Sequence, residues 1–381
     1  MNKRNDFLAY GRQSIDEVDM KAVYDTLRSD FLTQGPKVEE FENAIANYVG
    51  ANYAVAFSNG TAALHGACFA AGISKGDEVI TTPITFAATS NAVLYCGGTP
   101  VFADIDPVTY NIDPRKIDQV ISSKTKAIIP VDFTGQPVDL DEILSIAKRH
   151  NLIVIEDGAH SLGAEYKGRR VGSQAHMTMF SFHPVKPITT GEGGIITTNS
   201  KEFHEKLKLF RSHGISKTPY SIEQGDWYYE MTDLGFNYRM NDIQAALGLS
   251  QLDKLDGFLE RRRELATLYG ELLCDVDGIR LPWQLEGTVS GWHLYMIQLN
   301  EKIVRKSRRD IFDEMRAMNI GVHVHYIPVY WHPVYQERGY QRGLCNFAER
   351  WYEHALTLPL FPQMTDEDVG YVVETLKQAI D

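Results

Sequence analysis

Long apolar runs are missing from this chain. No stretch of about 18 or more apolar residues occurs, so no segment is expected to span a membrane. The opening MNKRNDFLAYGRQ is basic but leads into no apolar stretch, which speaks against a secretory signal and for a cytoplasmic location. Cysteine is sparse: Cys68, Cys96, Cys274 and Cys345 are scattered, with no CxxC pair and no metal-ligand spacing. That pattern fits free thiols in a reducing compartment rather than a disulfide framework or a metal site. Basic charge is also short, with 38 Lys and Arg against 50 Asp and Glu and a net charge of -12. Nucleic acid is therefore not expected as a partner, because a phosphate backbone demands a basic surface. A small phosphorylated ligand stays possible, since a few local donors can hold one on an acidic protein. Internal repeats and low-complexity segments are absent as well.

What is present suits a globular α/β chain. Its 381 residues, 44% of them hydrophobic and 23% charged, suffice for one large and one smaller core. Short β-rich runs alternate with helical patterns: strands at Tyr53–Phe57, Glu78–Thr82, Pro100–Asp104, 126–131, 152–156, 177–182 and Ile195–Thr198, with helices between most of them. Such alternation predicts a mainly parallel sheet with helices on both faces, and ligands beyond the carboxyl ends of its strands. The long connection between the last two strands is expected to be functional. From Asn241 long helices take over, and a smaller α+β unit is predicted near the end. It has strands at His293–Leu299 and Gly321–His325 and helices at 307–318, 346–356 and 365–379. The predicted division is a large domain with an N-terminal arm over 1–250 and a small domain over 251–381.

Three local features carry chemistry. Ser58-Asn59-Gly60-Thr61 follows a strand and opens a helix, where a close backbone approach, a hydroxyl and free N–H groups suit an anion. A plain helix cap reads equally from the same residues. Asp157 follows the apolar strand LIVIE, so its carboxylate points into the crevice, either as a turn residue or beside a cationic ring nitrogen. Strand alternation turns Glu156 the other way. The third feature is SFHPVKPITTGEGG, 181–194. Here Lys186 sits between an apolar strand and a glycine turn, where desolvation can lower its pKa. Ser181 offers a second hydroxyl.

Together SNGTAAL, PITFAAT, IEDGAH and SFHPVKPITTGEGG resemble the DegT/DnrJ/StrS family of sugar-nucleotide aminotransferases. The segments SDFLTQGPKVEEFE, GFNYRMNDIQAALGLSQL, WHLYMIQL, GVHVHYIPVY and LTLPLFPQMT follow in the expected order, so the resemblance spans the chain. It implies the fold-type I, aspartate-aminotransferase-like architecture and pyridoxal 5'-phosphate as cofactor, passing through pyridoxamine 5'-phosphate. By the same resemblance, Lys186 would hold the cofactor as an imine and Asp157 would pair with its ring nitrogen. Phe86 would stack on the ring and His160 would lie near its 3-hydroxyl. Gly60, Thr61 and Ser181 would bind the phosphate, joined by Asn237 from a neighbouring subunit, which implies a homodimer with shared active sites. Thr33, Gln34, His325 and Tyr326 would lie near the sugar.

Within the family the chain is most similar to enzymes making 4-amino-sugar precursors of pseudaminic acid. These move an amino group from L-glutamate to C4 of UDP-2-acetamido-2,6-dideoxy-β-L-arabino-hexos-4-ulose. Two positions depart from the family pattern: Gly158 stands where relatives carry alanine, and Asp132 replaces a histidine. Three rivals remain: transfer to another UDP- or dTDP-linked keto sugar, a sugar dehydratase, and a non-catalytic cofactor-binding regulator. Dehydratase relatives carry histidine in place of Lys186, and a regulator is expected to bring an added DNA-binding or membrane segment.

Overall fold

The computed structural model describes residues 2–380. Its centre is a seven-stranded sheet made of Tyr53–Phe57 (β1), Glu78–Thr81 (β2), Thr99–Phe102 (β3), Thr125–Ile129 (β4), Ile153–Asp157 (β5), Met177–Ser181 and Gly194–Thr198. Across the sheet the order is β1, 194–198, 177–181, β5, β4, β2, β3, and only 194–198 runs antiparallel to its neighbours. The parallel strands therefore deliver their carboxyl ends to one edge, as the alternating sequence predicts.

Side-chain alternation builds the layers. Val55 and Phe57 of β1 pack with Ile155, Met177, Met179 and Ile196 beneath the helices Gly60–Ala70, Ala88–Tyr95 and Lys201–Arg211. Ala54 and Ala56 face the opposite way, onto the helix Pro36–Val49 and the segment around Leu255 and Leu259. Small residues on the helix Gly60–Ala70 let it lie close to the strands. A Cβ on Gly66 would meet the Phe57 ring at 2.8 Å.

A second core lies around the antiparallel strands Ile279–Arg280, Tyr295–Leu299 and Ala355–Leu358, with the helices Arg308–Ala317 and Asp366–Ile380. The helix Leu255–Leu273 serves both cores, Leu255 and Leu259 entering the first and Leu265, Tyr269 and Leu273 the second. Leu8, from the start of the chain, is buried in the second core.

Two expectations need correction here. Gly321–His325 is not a strand: its partners are split, Gly321 donating to the Leu8 carbonyl and His323 pairing singly with Thr357. The expected helix 346–356 stops at His354, and Ala355–Leu358 becomes the edge strand beside Tyr295–Leu299. Among the described residues no helix is long and apolar enough to cross a membrane.

Candidate active site

Asp157 closes β5 beside Met179 of the neighbouring strand, and it is 3% exposed. The Thr89 hydroxyl donates to its Oδ2 at 2.7 Å and the Ala159 N–H to its Oδ1 at 3.2 Å. Thr85 lies 2.8 Å from the Thr89 hydroxyl and extends the chain of donors. Burial pushes the Asp157 carboxyl above its ordinary value, opposed by the Thr89 and Ala159 bonds and by the charge of Lys186. Glu156 points away, as strand alternation requires, and accepts from Thr178 at 2.9 Å.

Lys186 lies in the connection between Ser181 and Gly194, which is closed by Phe182 donating to the Gly193 carbonyl and Thr190 to the Phe182 carbonyl. Its backbone N–H donates to the His183 carbonyl at 2.9 Å, so a tight turn presents the side chain. Loss of water around the amine lowers its pKa to about 8, with Asp157 pulling in the other direction. The structure thus brings together two groups 29 positions apart because their strands are adjacent in the sheet.

Phosphate-type donors sit at the same edge. Asn59 caps the helix Gly60–Ala70 by accepting from Ala62 at 2.8 Å, leaving Gly60 and Thr61 in the open first turn. A Cβ on Gly60 would lie 3.3 Å from Ser181 Cβ and 3.4 Å from its Oγ, so the glycine keeps this cradle open. Phe86 follows β2, one turn before Thr89, with 63% of its surface exposed and its ring centroid 6.3 Å from that of Tyr326.

His160 is buried three residues after Asp157, its Nε2 3.4 Å from the Tyr326 hydroxyl and its Nδ1 without a partner. Burial, with Lys186 and His325 nearby, pushes its imidazole well below the ordinary value. Tyr326 and His325 come from the second unit, and His325 Nδ1 lies 2.9 Å from the Thr357 hydroxyl. Thr33, Gln34 and Asn237 are exposed. The first two lie in a segment tied to Asp242 through Gly35 N–H (2.9 Å) and Lys37 N–H (3.0 Å). Asn237 pairs with Ser212, and the next carbonyl, Tyr238, accepts from Ser58 at 2.8 Å.

Sequence reasoning missed two residues. Thr89 is one helical turn beyond Thr85 in PITFAAT, so its hydroxyl was legible. His293 approaches Lys186 to 3.4 Å from the second unit, and nothing local in WHLYMIQL signals that meeting.

The cluster fits pyridoxal phosphate. A half-buried lysine of lowered pKa, a buried carboxylate held by two donors, an unpartnered ring nitrogen on His160, an exposed aromatic face and an open helix start all meet at one sheet edge.

Comparison with known proteins agrees. The family described as the DegT/DnrJ/EryC1/StrS aminotransferase family matches residues 13–377. Spore coat polysaccharide biosynthesis protein SpsC of Bacillus subtilis is 42% identical, covering 100% of this chain and 99% of its own. The UDP-4-amino-4,6-dideoxy-N-acetyl-beta-L-altrosamine transaminase of Campylobacter jejuni is 40% identical over 97% of this chain and 96% of its own. Among solved structures, Helicobacter pylori PseC, an aminotransferase involved in the biosynthesis of pseudoaminic acid, superposes with a TM-score of 0.92. It is 35% identical, over 98% of this chain and 99% of its own. Spr1654 of Streptococcus pneumoniae in its PLP form gives a TM-score of 0.91 at 31% identity, over 98% of each chain.

Proposed function

Because the chain belongs to the DegT/DnrJ/EryC1/StrS aminotransferase family, we propose that it moves an amino group from L-glutamate to C4 of a UDP-linked 4-keto-6-deoxy sugar, with Lys186 and Asp157 as catalytic residues. The enzyme is a pyridoxal-phosphate-dependent aminotransferase. When bound, the cofactor supplies the electron sink that lets a neighbouring carbon lose or gain a proton.

The chain's own residues do the rest. Lys186 Nζ anchors the cofactor and, once free, carries the proton. Its depressed pKa leaves a usable share of neutral amine near pH 7, where an ordinary lysine is almost wholly charged. Asp157 holds the ring nitrogen in its protonated form. Alone, its burial favours the neutral carboxyl. The Thr89 and Ala159 donors favour the ionised state, which a cationic ring nitrogen alongside would complete. Gly60, Thr61 and Ser181 would hold the phosphate, Phe86 would cover one ring face, and His160 would lie near the ring oxygen. The single observation that carries this reading is the meeting of the dehydrated Lys186 amine with the doubly bonded Asp157.

Thr33, Gln34 and Asn237 contribute through a second copy of the chain. They are exposed among exposed apolar side chains, Phe31, Leu32, Leu234 and Phe236, which suits a face covered in a homodimer with shared active sites. His325 and Tyr326, on the second unit, line the sugar side.

The relatives support the acceptor: one is named for a 4-amino-4,6-dideoxy sugar and one for pseudoaminic acid biosynthesis. A second reading, transfer to a different keto sugar nucleotide, draws on the 42% identity to the spore coat polysaccharide protein. To test the donor half-reaction, L-glutamate is added to the pyridoxal-phosphate-loaded protein without sugar. The yellow band should give way to the shorter-wavelength pyridoxamine band with release of 2-oxoglutarate. The UDP-linked 4-ulose should then restore it. A band unmoved by glutamate would refute the donor, and one restored only by another keto sugar would select the second reading.

A further inference from the structure

We propose that His293 is a positioning residue for Lys186: its Nε2 accepts an N–H of the freed lysine amine and keeps that amine from swinging into an ion pair with Asp157. This rests on the reading that Lys186 is the lysine that carries the cofactor.

The geometry begins with proximity. His293 is 4% exposed, and its Nε2 lies 3.4 Å from Lys186 Nζ. Burial, with Lys186, His160, Arg262 and His325 around it, drives its imidazole well below the ordinary value, so the ring is neutral and one nitrogen accepts. With Nε2 turned to Lys186, the proton sits on Nδ1, which is buried without a partner. The His160 ring lies 4.3 Å away, centroid to centroid.

Three separate devices fix this histidine. Its backbone N–H donates to the Thr134 carbonyl at 2.8 Å, and Gly291 N–H to the Gly135 carbonyl at 2.9 Å, which staples the segment to the loop after β4. Gly135 has φ 101°, and a Cβ there would lie 2.9 Å from Trp292 N and 3.0 Å from His293 N. Only glycine permits that approach. Arg262 is buried and, among the described residues, pairs with no carboxylate; its Nη1 donates to the carbonyls of Leu360 (2.8 Å), Trp292 (3.2 Å) and His293 (3.4 Å). Burial lowers its pKa to about 10, a cost that gathering carbonyls offsets. Trp292 itself sits at φ 43°, a left-handed conformation that a bulky side chain rarely adopts. A strained tryptophan, a buried arginine and an obligatory glycine therefore converge on a residue for which the proton transfers above have no use.

The use follows from the reaction. When the cofactor carries the amino group, Lys186 is a free amine on a flexible stem, and the Asp157 charge favours its protonated form. An ion pair there would take the base out of play and compete with the ring nitrogen for Asp157. A neutral acceptor on the other side gives the amine a resting place without adding charge.

The test uses holoenzyme in the pyridoxamine-phosphate form, in which Lys186 is free. His293→Asn shortens the side chain so its carbonyl stops short of the Nε2 position, whereas His293→Gln reaches it. Acylation of Lys186 by acetic anhydride, read by peptide mass spectrometry across pH, reports its midpoint. With the neutral acceptor gone the amine falls into the ion pair with Asp157, which favours its charged form, so the Asn midpoint should rise by about one pH unit, with Gln returning most of it and kcat falling while KM for glutamate holds. An Asn midpoint equal to or below that of wild type overturns the proposal. In the unmodified protein, 15N-histidine NMR should show His293 protonated on Nδ1, and an Nε2–H tautomer overturns it without any variant. Borohydride reduction of the loaded wild type tests the underlying reading separately. Cofactor fixed on a lysine other than Lys186 refutes both, while cofactor on Lys186 with an unshifted Asn midpoint refutes only the role of His293.

Discussion

Gly158→Ala should destabilise the protein, and the reason runs through a single hydroxyl. Gly158 has no left-handed φ, so alanine fits its backbone and gains about 0.4–1 kcal/mol through the unfolded chain. Against this, the added Cβ would lie 2.9 Å from Ser161 Oγ, 3.0 Å from Phe180 Cε1 and 3.1 Å from the Met179 carbonyl oxygen. The last is strand backbone and cannot retreat. The first cannot move freely either, because Ser161 Oγ donates to the buried Asp132 Oδ2 at 2.6 Å. Overpacking of this kind costs about 1–3 kcal/mol, so the net loss should be about 1 kcal/mol. Combining it with Ser161→Ala removes the closest contact. The alanine at 158 should then cost at least about 0.5 kcal/mol less than in the wild-type background, the mark of a coupled pair. Urea midpoints of the holoenzyme at constant slope measure both quantities. A Gly158→Ala protein as stable as wild type, or strictly additive variants, would refute the reasoning. Gly158 and Asp132 are thereby coupled through the Ser161 hydroxyl. Asp132, pushed up to about 7 by burial and also bonded by Val138 N–H at 2.9 Å, fixes Ser161 where a larger residue at 158 would need it to yield.

Other outcomes can be checked together. Lys186→Ala should fold normally, judged by circular dichroism, yet turn over no substrate; normal turnover would sink the assignment. Asp157→Asn should still bind cofactor but lose about 100-fold or more in rate, as expected for a group matched to charge in the transition state. Full activity would remove its role with the ring nitrogen. With the Lys186 pKa lowered to about 8, the free amine is the fraction above that value. Proton transfer in the glutamate half-reaction should therefore rise with pH, about fivefold from 7 to 8, and level off above 9. A tenfold rise per unit persisting to pH 10 would mean that the amine is not desolvated. Mixing inactive Lys186→Ala with Asn237→Asp protein should restore about a quarter of wild-type activity, since half the dimers are hybrids with one intact site. No recovery after confirmed subunit exchange would place Asn237 outside a shared site.

Much of the sheet and its ligand edge could be read before any coordinates. Strand runs such as YAVAF and LIVIE are short, apolar and bounded by turn residues, and the loops after them carry glycine, hydroxyls and a lone lysine. Asp157 and Lys186 were legible because each closes or follows such a strand, though their meeting depends on β5 pairing with 177–181, which no local pattern states. Gly321–His325 failed because G-V-H-V-H alternates as a strand does, while its hydrogen-bond partners lie in two distant segments, Leu8 and Thr357. His293 escaped for a related reason. It reaches Lys186 only through the packing of the second unit on the loop Thr134–Gly135, and long-range packing leaves no periodic trace in sequence.

The burial of Leu8 in the second core has a mechanical consequence. That unit is joined to the catalytic sheet at its start by the helix Leu255–Leu273, and the arm running from Leu8 past Gly11, which backs onto Val185 beside Lys186, fastens it a second time. Beside the bonds of Gly291 and His293 to Gly135 and Thr134, this arm is a strap that resists rocking of the unit about those contacts. Shortening the chain's beginning past Leu8 would therefore slacken the substrate-facing unit while leaving the central sheet intact, and would change the grip on the sugar before it changed the hold on the cofactor.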